Sequence, residues 1–442
     1  MPFERRRGAC SAAIACRRDY LIVSVFVTAV LTGGNSGAAT LVDLQGLFVS
    51  DEFVSRSLAV SGNGQVLGGT GTPSLRPWVL NASFTGTFLA AGPGVVNDLS
   101  RDGSVAVGTI GGSAFLWSAA GAVDLGSLES VPTGPVVAAG VSADGRRIVG
   151  HSPSPGGTLS FDEAFLYTVT DPETGAGVIE GLGDLPGGDS YGQAAAISSD
   201  GNIVVGGSSS VNSSGGGAGF PLSYEAFRWT RVMGMIPLGD LPGGGFWSYA
   251  TGVSGDGAVV VGGSTSFSSG VNDLEAFRWT SATGMVPLGD LPGGRYASVA
   301  TDVSADGNIV VGYSAVGFGD GGLDELTPFI WDPVNGMRDL RQVFADAGAV
   351  MPNLRPTHAT AISDDGTVVT GYGRSVFRTP AGDLREEAWI GIFDTPPGEP
   401  AIPDPSAAEI PLLQPLSAGL LTIALGMISR RRAALSEGRI RR

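Results

Sequence analysis

The chain contains no lysine. All 26 basic residues among its 442 are Arg, which removes Schiff-base and lysine-nucleophile chemistry. Cysteine is nearly as scarce. Cys10 and Cys16 are the only two, both within the first 38 residues, so a product lacking that segment has no disulfide, thiol catalysis or thiolate metal site. Histidine is limited to His151 and His358, in different repeats. Both are expected at surface turns, and a Ser-His-Asp triad or a His-rich metal site has little support. Charged residues make up only 15%, against about 25% in ordinary globular chains. What is present in excess is Gly, at 71 residues, with 27 Pro. A hydrophobic fraction of 43% excludes a disordered polar chain, because there is enough apolar surface to bury.

The two ends read as sorting signals. Residues 1–38 have the layout of an export signal peptide: Arg5, Arg6, Arg7, Arg17 and Arg18, an apolar run from Tyr20 to Thr32, then Ser36-Gly37-Ala38 as a small-residue cleavage site. Arg17-Arg18-Asp19-Tyr20-Leu21 also resembles a twin-arginine signal. Residues 410–428 are 19 residues without a charge, long enough for a transmembrane helix. Arg430, Arg431 and Arg432 follow in an Arg-rich tail, 429–442, which would stay cytoplasmic. A Pro-rich linker, 396–409, carries Pro403-Asp404-Pro405. This tail resembles a PEP-CTERM sorting signal, which implies an exosortase-like processing enzyme as a partner beside the export machinery. It departs from that pattern in having Asp404 where Glu is usual. Location is therefore expected outside the cell or at its surface, with the helix as a transient inner-membrane anchor. Between 39 and 400 lie 15 Arg and 37 acidic residues, a net charge of −22. Such a surface repels phosphate backbones, so no nucleic-acid partner is expected.

Internal repetition decides the fold. The Ser of a Ser-x-(Asp/Asn)-Gly motif recurs at Ser61, Ser100, Ser142, Ser198, Ser254, Ser304 and Ser363, at spacings of 39, 42, 56, 56, 50 and 59 residues. Each motif is followed by an apolar run of the VVVG type. An aromatic strand recurs seven times, at Trp78, Trp117, Tyr167, Trp229, Trp279, Trp331 and Trp389. An apolar strand ending near Asp-Leu also recurs, and its best copies read GMIPLGDLPGG. Asp-Gly between two apolar runs is a strong hairpin signal. Four short strands per ~50-residue repeat predict an all-β chain, a seven-bladed β-propeller over 39–395. The ends predict how the ring closes. Residues 39–47 form a lone strand of the Asp-Leu type and 386–393 a lone aromatic strand, and their pairing completes one blade.

The tripeptides Ser113-Ala114-Phe115, Glu163-Ala164-Phe165, Glu225-Ala226-Phe227 and Glu275-Ala276-Phe277, with GDLPGG, resemble the HAF-repeat proteins, a bacterial extracellular family. Here the family's His is replaced each time. The resemblance implies a propeller-like fold and an extracellular location, and no reaction.

No catalytic residue is assigned. Asp184, Asp240 and Asp290 recur at one position of three repeats, which suits a strand-end hydrogen-bonding role better than a single catalytic acid. No cofactor is expected. Calcium is the one ion the sequence could accommodate, through Asp320, Asp324 and Glu325 in the loop GFGDGGLDE. The sharpest binding expectation comes from loop topology. Long variable loops share one face, and those after PGG carry Tyr191, Phe246, Trp247, Tyr249 and Tyr296, able to stack on sugar rings or clamp a peptide. The function expected is an extracellular binding or scaffold module, with polysaccharide or surface proteins as partners. Two alternatives stand beside it: a carbohydrate-active hydrolase or lyase using Asp/Glu at the ring centre, and a structural envelope component.

Overall fold

The structure is a computed structural model. It describes residues 39–397 except 45–54, 72–74, 84, 131, 154–161, 189–190, 214–223, 319–323, 350, 352 and 379–383. The export segment 1–38, Pro403-Asp404-Pro405, the apolar run 410–428 and Arg430–Arg432 lie outside the described residues. Among the described residues no helix is long and apolar enough to cross a membrane.

The chain begins with β1 (Ala39–Asp43). Blade one is β2 (Ser55–Val60), β3 (Val66–Gly71), β4 (Arg76–Asn81) and β5 (Gly86–Phe88). Blade two is β6 (Gly94–Leu99), β7 (Ala106–Ile110), β8 (Ser113–Ser118) and β9 (Gly121–Asp124). Blade three is β10 (Val137–Val141), β11 (Arg147–Pro153), β12 (Asp162–Asp171) and β13 (Ala176–Gly181). Blade four is β14 (Gly192–Ile197), β15 (Ile203–Ser208), β16 (Glu225–Thr230) and β17 (Gly234–Gly239). Blade five is β18 (Ser248–Val253), β19 (Val259–Ser266), β20 (Gly270–Thr280) and β21 (Gly284–Gly289). Blade six is β22 (Ser298–Val303), β23 (Val310–Phe318), β24 (Asp324–Asp332) and β25 (Gly336–Asp339), followed by helix α1 (Leu340–Asp346). Blade seven is β26 (Leu354–Ile362), β27 (Val368–Arg378) and β28 (Leu384–Phe393), completed by β1.

Every blade is a four-stranded antiparallel sheet. The first strands of the blades touch one another in sequence, and β26 touches β2, so these seven strands form the inner ring. This is the expected seven-bladed propeller. Its closure is also the expected one. β1 pairs with β28 from Ala39↔Phe393 to Asp43↔Trp389, which covers a sheet edge that would otherwise be open.

The Ser-x-Asp-Gly motif builds the turn after each inner strand. All seven Ser are buried. Each hydroxyl donates to the Asp or Asn two residues on, at 2.6–3.0 Å. Each also accepts the backbone N–H five residues on, at 2.9–3.0 Å. The turn Gly sits at φ +69° to +75° in all seven copies, where a side chain is strained. Between motifs, backbone bonds run blade to blade. The N–H of Arg101 donates to Ala143, Ala143 to Ser199, Ser199 to Gly255, Gly255 to Ala305, Ala305 to Asp364 and Asp364 to Gly62, at 2.9–3.2 Å. Asn63 N–H to Arg101 O, 2.9 Å, closes the circle.

The VVVG glycine has its own reason. Each inner strand bulges by one residue before the motif, as between Ala250 and Gly252. Gly262 then lies so close to the Tyr249 carbonyl that an added Cβ would overlap it, and Gly69, Gly108, Gly150, Gly206, Gly312 and Gly371 meet the equivalent carbonyls of the other blades.

The apolar core is seven layers, one between each pair of adjacent blades. The layer between blades four and five holds Val205, Leu241, Val260 and Phe277. That between seven and one holds Val42, Trp78 and Ile390. Helix α1 replaces the PGG loop after blade six. Asp339-Leu340 occupies the place of Asp240-Leu241, but the residues that follow are good helix formers rather than Pro-Gly-Gly. Asp339 caps the helix by accepting from Arg341 N–H, and Leu340 and Phe344 are buried. Phe344 stacks on Phe393, with centroids 4.7 Å apart.

Candidate functional site

Two zones lie near the propeller axis. The first is a small cavity of about 120 Å³ at the turn face, lined by inner-strand and turn residues that include Asp98, Arg101, Asp302 and Asp364. Two residues before the motif Ser, the inner strands carry Ala59, Asp98, Gly140, Ala196, Gly252, Asp302 and Ala361. Only blades two and six place a carboxyl there. Asp98 accepts N–H groups from Leu99 at 2.7 Å and from Val141 of the next blade at 2.8 Å. Asp302 does the same with Val303 at 2.8 Å and Ile362 at 2.9 Å. Burial pushes both carboxyls up from 3.8 to about 7, against the pull of those N–H groups, and the Asp364 charge adds to the rise. Arg101 reaches across Gly62 to Asp364, Nε to Oδ2 3.0 Å, and a Cβ on Gly62 would collide with that carboxylate.

These carboxyls are not repeated from blade to blade, as a central acid-base site would require. However, both oxygens of Asp98 and of Asp302 are taken by backbone N–H groups, one from the following residue of the same strand and one from the neighbouring inner strand. The cavity is also small beside the ~300–1,000 Å³ of typical ligand pockets.

The second zone is the opposite, loop face. Five residues before the motif Ser, at the start of six inner strands and within the longer β26, stand Arg56, Val95, Val137, Gln193, Tyr249, Val299 and His358. The VVVG glycines hold these backbones in place. Two groups of rings form here. Tyr191 lies 5.1 Å from Tyr224, and Tyr224 lies 6.4 Å from Tyr249. Tyr313 lies 4.6 Å from His358, which stacks on Tyr372 at 4.3 Å and 19°. The Arg56 guanidinium sits 5.1 Å from the Tyr372 ring and bonds Glu386 at 2.6 Å. Between the two groups, at the junction of blades five and six, is a cavity of about 200 Å³ lined by Trp247, Asp273, Leu274, Arg295, Val299 and Tyr313 among others. Arg295 pairs with Asp273 at 2.7 Å.

The electrostatics keep these rings neutral. Burial lowers His358 to about 4, helped by Arg56 and Arg374, so the imidazole is uncharged at neutral pH. Burial raises Tyr249 to about 12, aided by Tyr224, and raises Tyr191 as well.

The aromatics expected from the loops divide. Tyr191 is buried and Tyr249 half-buried, both within the first ring group. Trp247 lines the cavity. Tyr296, 37% exposed, donates its hydroxyl to Glu275 at 2.9 Å. Phe246 is half-buried. Neither histidine lies in a turn, contrary to expectation. His151 is in β11, 3.9 Å from Asp162, and Asp162 accepts from Gln193 at 2.8 Å. Loop reasoning did not single out Tyr313, His358 and Tyr372, which lie within β23, β26 and β27, nor Arg56 near the start of β2, nor Tyr224 just before β16. Aligning the repeats on the motif Ser and looking five residues upstream marks Arg56 and His358 beside Tyr249.

Of the residues considered for calcium, Asp320 lies outside the described residues and Asp324 starts β24. Glu325 is engaged by Arg355. Among the described residues no group of three or more His, Cys, Asp or Glu is placed to hold a metal. Asp184, Asp240 and Asp290 are raised by burial and by the neighbouring Glu163, Glu225 and Glu275. The pairing recurs in three blades, in keeping with a structural role.

Fold and site together define a seven-bladed β-propeller with an aromatic-lined loop face. No family model matches the chain, and no curated protein matches it. Solved structures resemble it at low identity. The Cps50 (Swd1) β-propeller domain of Myceliophteria thermophila is 11% identical, covering 77% of this chain and 99% of that one with a TM-score of 0.43. Hydrazine synthase of Kuenenia stuttgartiensis is 14% identical over 74% and 94%, TM-score 0.41. The tricorn protease is 12% identical over 80% of this chain and 35% of its own, TM-score 0.41. At these values none of them bears on function.

Proposed function

We propose that this protein is an extracellular binding module that grips a polysaccharide with its loop face. The observation that carries the reading is the pair of ring groups, Tyr191–Tyr224–Tyr249 and Tyr313–His358–Tyr372, flanking one cavity on a rigid scaffold. Tyr191 is buried beneath Tyr224, and the half-buried rings offer flat apolar surface at low entropic cost. A polymer crossing several blades would meet ring after ring. Export by the N-terminal segment, processing at the PEP-CTERM-like tail and kinship with HAF-repeat proteins belong to the same proposal, and all three rest on sequence resemblance. A full-length protein carrying Trp247→Ala with Tyr249→Ala should lose its signals on a glycan array. Unchanged binding in that variant would remove the reading.

The hydrolase or lyase alternative draws on Asp98, Asp302 and Asp364 at the axis. Asp98 and Asp302 already accept backbone N–H groups and Asp364 is paired with Arg101, which favours the binding reading. Release of reducing ends or unsaturated products from a bound polysaccharide, lost in Asp302→Asn, would reverse that preference.

A further inference from the structure

The cavity between blades five and six has a chemistry that narrows the ligand. Its walls come from Trp247, Leu274, Val299 and Tyr313, and its polar members include the paired Arg295 and Asp273. At about 200 Å³ it is below the ~300 Å³ where drug-sized pockets begin, which suits one small ring and not a folded peptide segment. An Arg–Asp pair beside an apolar wall offers donors from the guanidinium and acceptors from the carboxylate within one small area. Adjacent hydroxyls on a sugar ring need that combination, since each hydroxyl both donates and accepts. The C–H faces of the ring would lie on the indole and the Tyr313 phenol.

Charge settles the class. On the loop face Arg56, Arg295 and Arg355 are each held by an acid, Glu386, Asp273 and Glu325, and Arg374 stands beside His358. These pairs cancel locally, so they offer no net positive field to an incoming polyanion. Behind them the 39–400 segment carries −22, which repels polyanions over the Debye length. We infer that the blade five–six cavity is the anchoring subsite for one pyranose unit of a neutral polysaccharide, stacked on Trp247 and hydrogen-bonded by Asp273 and Arg295. This rests on the loop-face binding reading.

The test uses the full chain in affinity electrophoresis. The neutral gels contain dextran, laminarin or galactomannan, and the acidic gels alginate or polygalacturonate. Retardation by at least one neutral polymer is expected. Binding should weaken about tenfold in Trp247→Ala, the scale of one lost aromatic contact, and also in Asp273→Asn. It should change less than about twofold between 0.05 and 0.5 M NaCl, because no polyanion is being screened. Asp273→Asn keeps the side-chain volume, and unchanged circular dichroism separates loss of binding from loss of fold. Retardation only by alginate or polygalacturonate, abolished by salt, would overturn the neutral class while leaving the loop face as the binding surface. Neutral binding untouched by both single variants but lost in Trp247→Ala/Tyr249→Ala would overturn the subsite alone. No retardation by any polymer would overturn both the inference and the reading beneath it.

Discussion

The Asp302 carboxylate leaves its own blade and accepts the Ile362 backbone N–H of the next at 2.9 Å. Asp98 makes the matching link from blade two to Val141 of blade three. Two acids thus act as clasps between inner strands, at a position where the other five blades carry Gly or Ala.

Those clasps set a pH dependence. Both carboxyls are raised from 3.8 to about 7 in the folded protein, mainly by burial. Between those two values the folded state holds protons that the unfolded state has released. Stability therefore falls as pH rises from about 4 to 7 and levels off above, and the loss is on the order of a few kcal/mol across both groups. Below about 4 the sign reverses. Asp256, lowered by the Ala258 N–H and the Ser254 hydroxyl, and Asp102, lowered by Ser104, lose their stabilising bonds on protonation. Urea midpoints measured from pH 3 to 8 should peak near pH 4 to 5. In Asp98→Asn/Asp302→Asn the decline between pH 5 and 7 should flatten, whatever the shift in absolute stability. An undiminished slope in the double variant would assign the effect to other groups.

The motif serine can be tested one blade at a time. The Ser254 hydroxyl donates to Asp256 at 2.7 Å and accepts Val259 N–H at 3.0 Å, fully buried. Ser254→Ala leaves that N–H without its acceptor, and should cost about 1–3 kcal/mol. Ser61→Ala should cost less, because its partner is the neutral Asn63 and charge-assisted bonds are the stronger ones. Equal costs by urea denaturation would mean that the acceptor's charge contributes nothing.

Much of this architecture was legible from the repeats. The seven Ser-x-Asp-Gly copies gave blade number and turn identity, because each demands one buried hydroxyl and one positive-φ glycine, whereas each blade begins with the strand leading into the motif and not with the aromatic strand. The unpaired segments at 39–47 and 386–393 gave the closure. Other parts were not legible. Helix α1 occupies a place where every strong repeat has Pro-Gly-Gly, and its formation depends on Phe344 finding Phe393 and Trp389. His358 and Tyr372 are register partners within blade seven, while Tyr313 comes from blade six, so the three rings meet only when those two blades pack together. The loop aromatics were visible as residues, but not their burial. Tyr191 reads as exposed after PGG, yet it packs under Tyr224.

The glycine of the VVVG run makes a prediction that links fold to site. Gly262 faces the Tyr249 carbonyl with no room for a Cβ. Gly262→Ala must push the start of β18 outward, carrying Tyr249 away from Tyr224. A loss of roughly 3 kcal/mol or more is expected, at the upper end of single substitutions. Glycan binding should weaken even at temperatures where the variant remains folded. By contrast Gly284→Ala, where no atom lies within 4 Å of the added Cβ but φ is +67°, should cost only about 1–2 kcal/mol and leave binding unchanged. If Gly262→Ala binds as well as the parent, the inner-strand start does not position the ligand.

Ring closure by β1 can be separated from sequence continuity. β1 pairs with β28 through five residues, Ala39↔Phe393 to Asp43↔Trp389, and Val42 and Leu44 enter the layer between blades seven and one. Removing residues 1–44 exposes the β28 edge and uncovers part of that layer, so the product should associate or aggregate. Moving the segment should not. In a permuted protein that starts at Ser55 and carries residues 39–47 after residue 397 on a flexible Gly/Ser linker, the strand returns to the same antiparallel register. The linker need only cross from the end of β28 to the start of β1, a hairpin-scale distance, because Ala39 is already opposite Phe393. The permuted protein should be monomeric, with a melting temperature within a few degrees of the parent, while the truncated one should melt far lower or not fold. Equal stability of truncated and permuted proteins would show that the seventh blade holds with three strands and that the β1–β28 pairing contributes little to the ring.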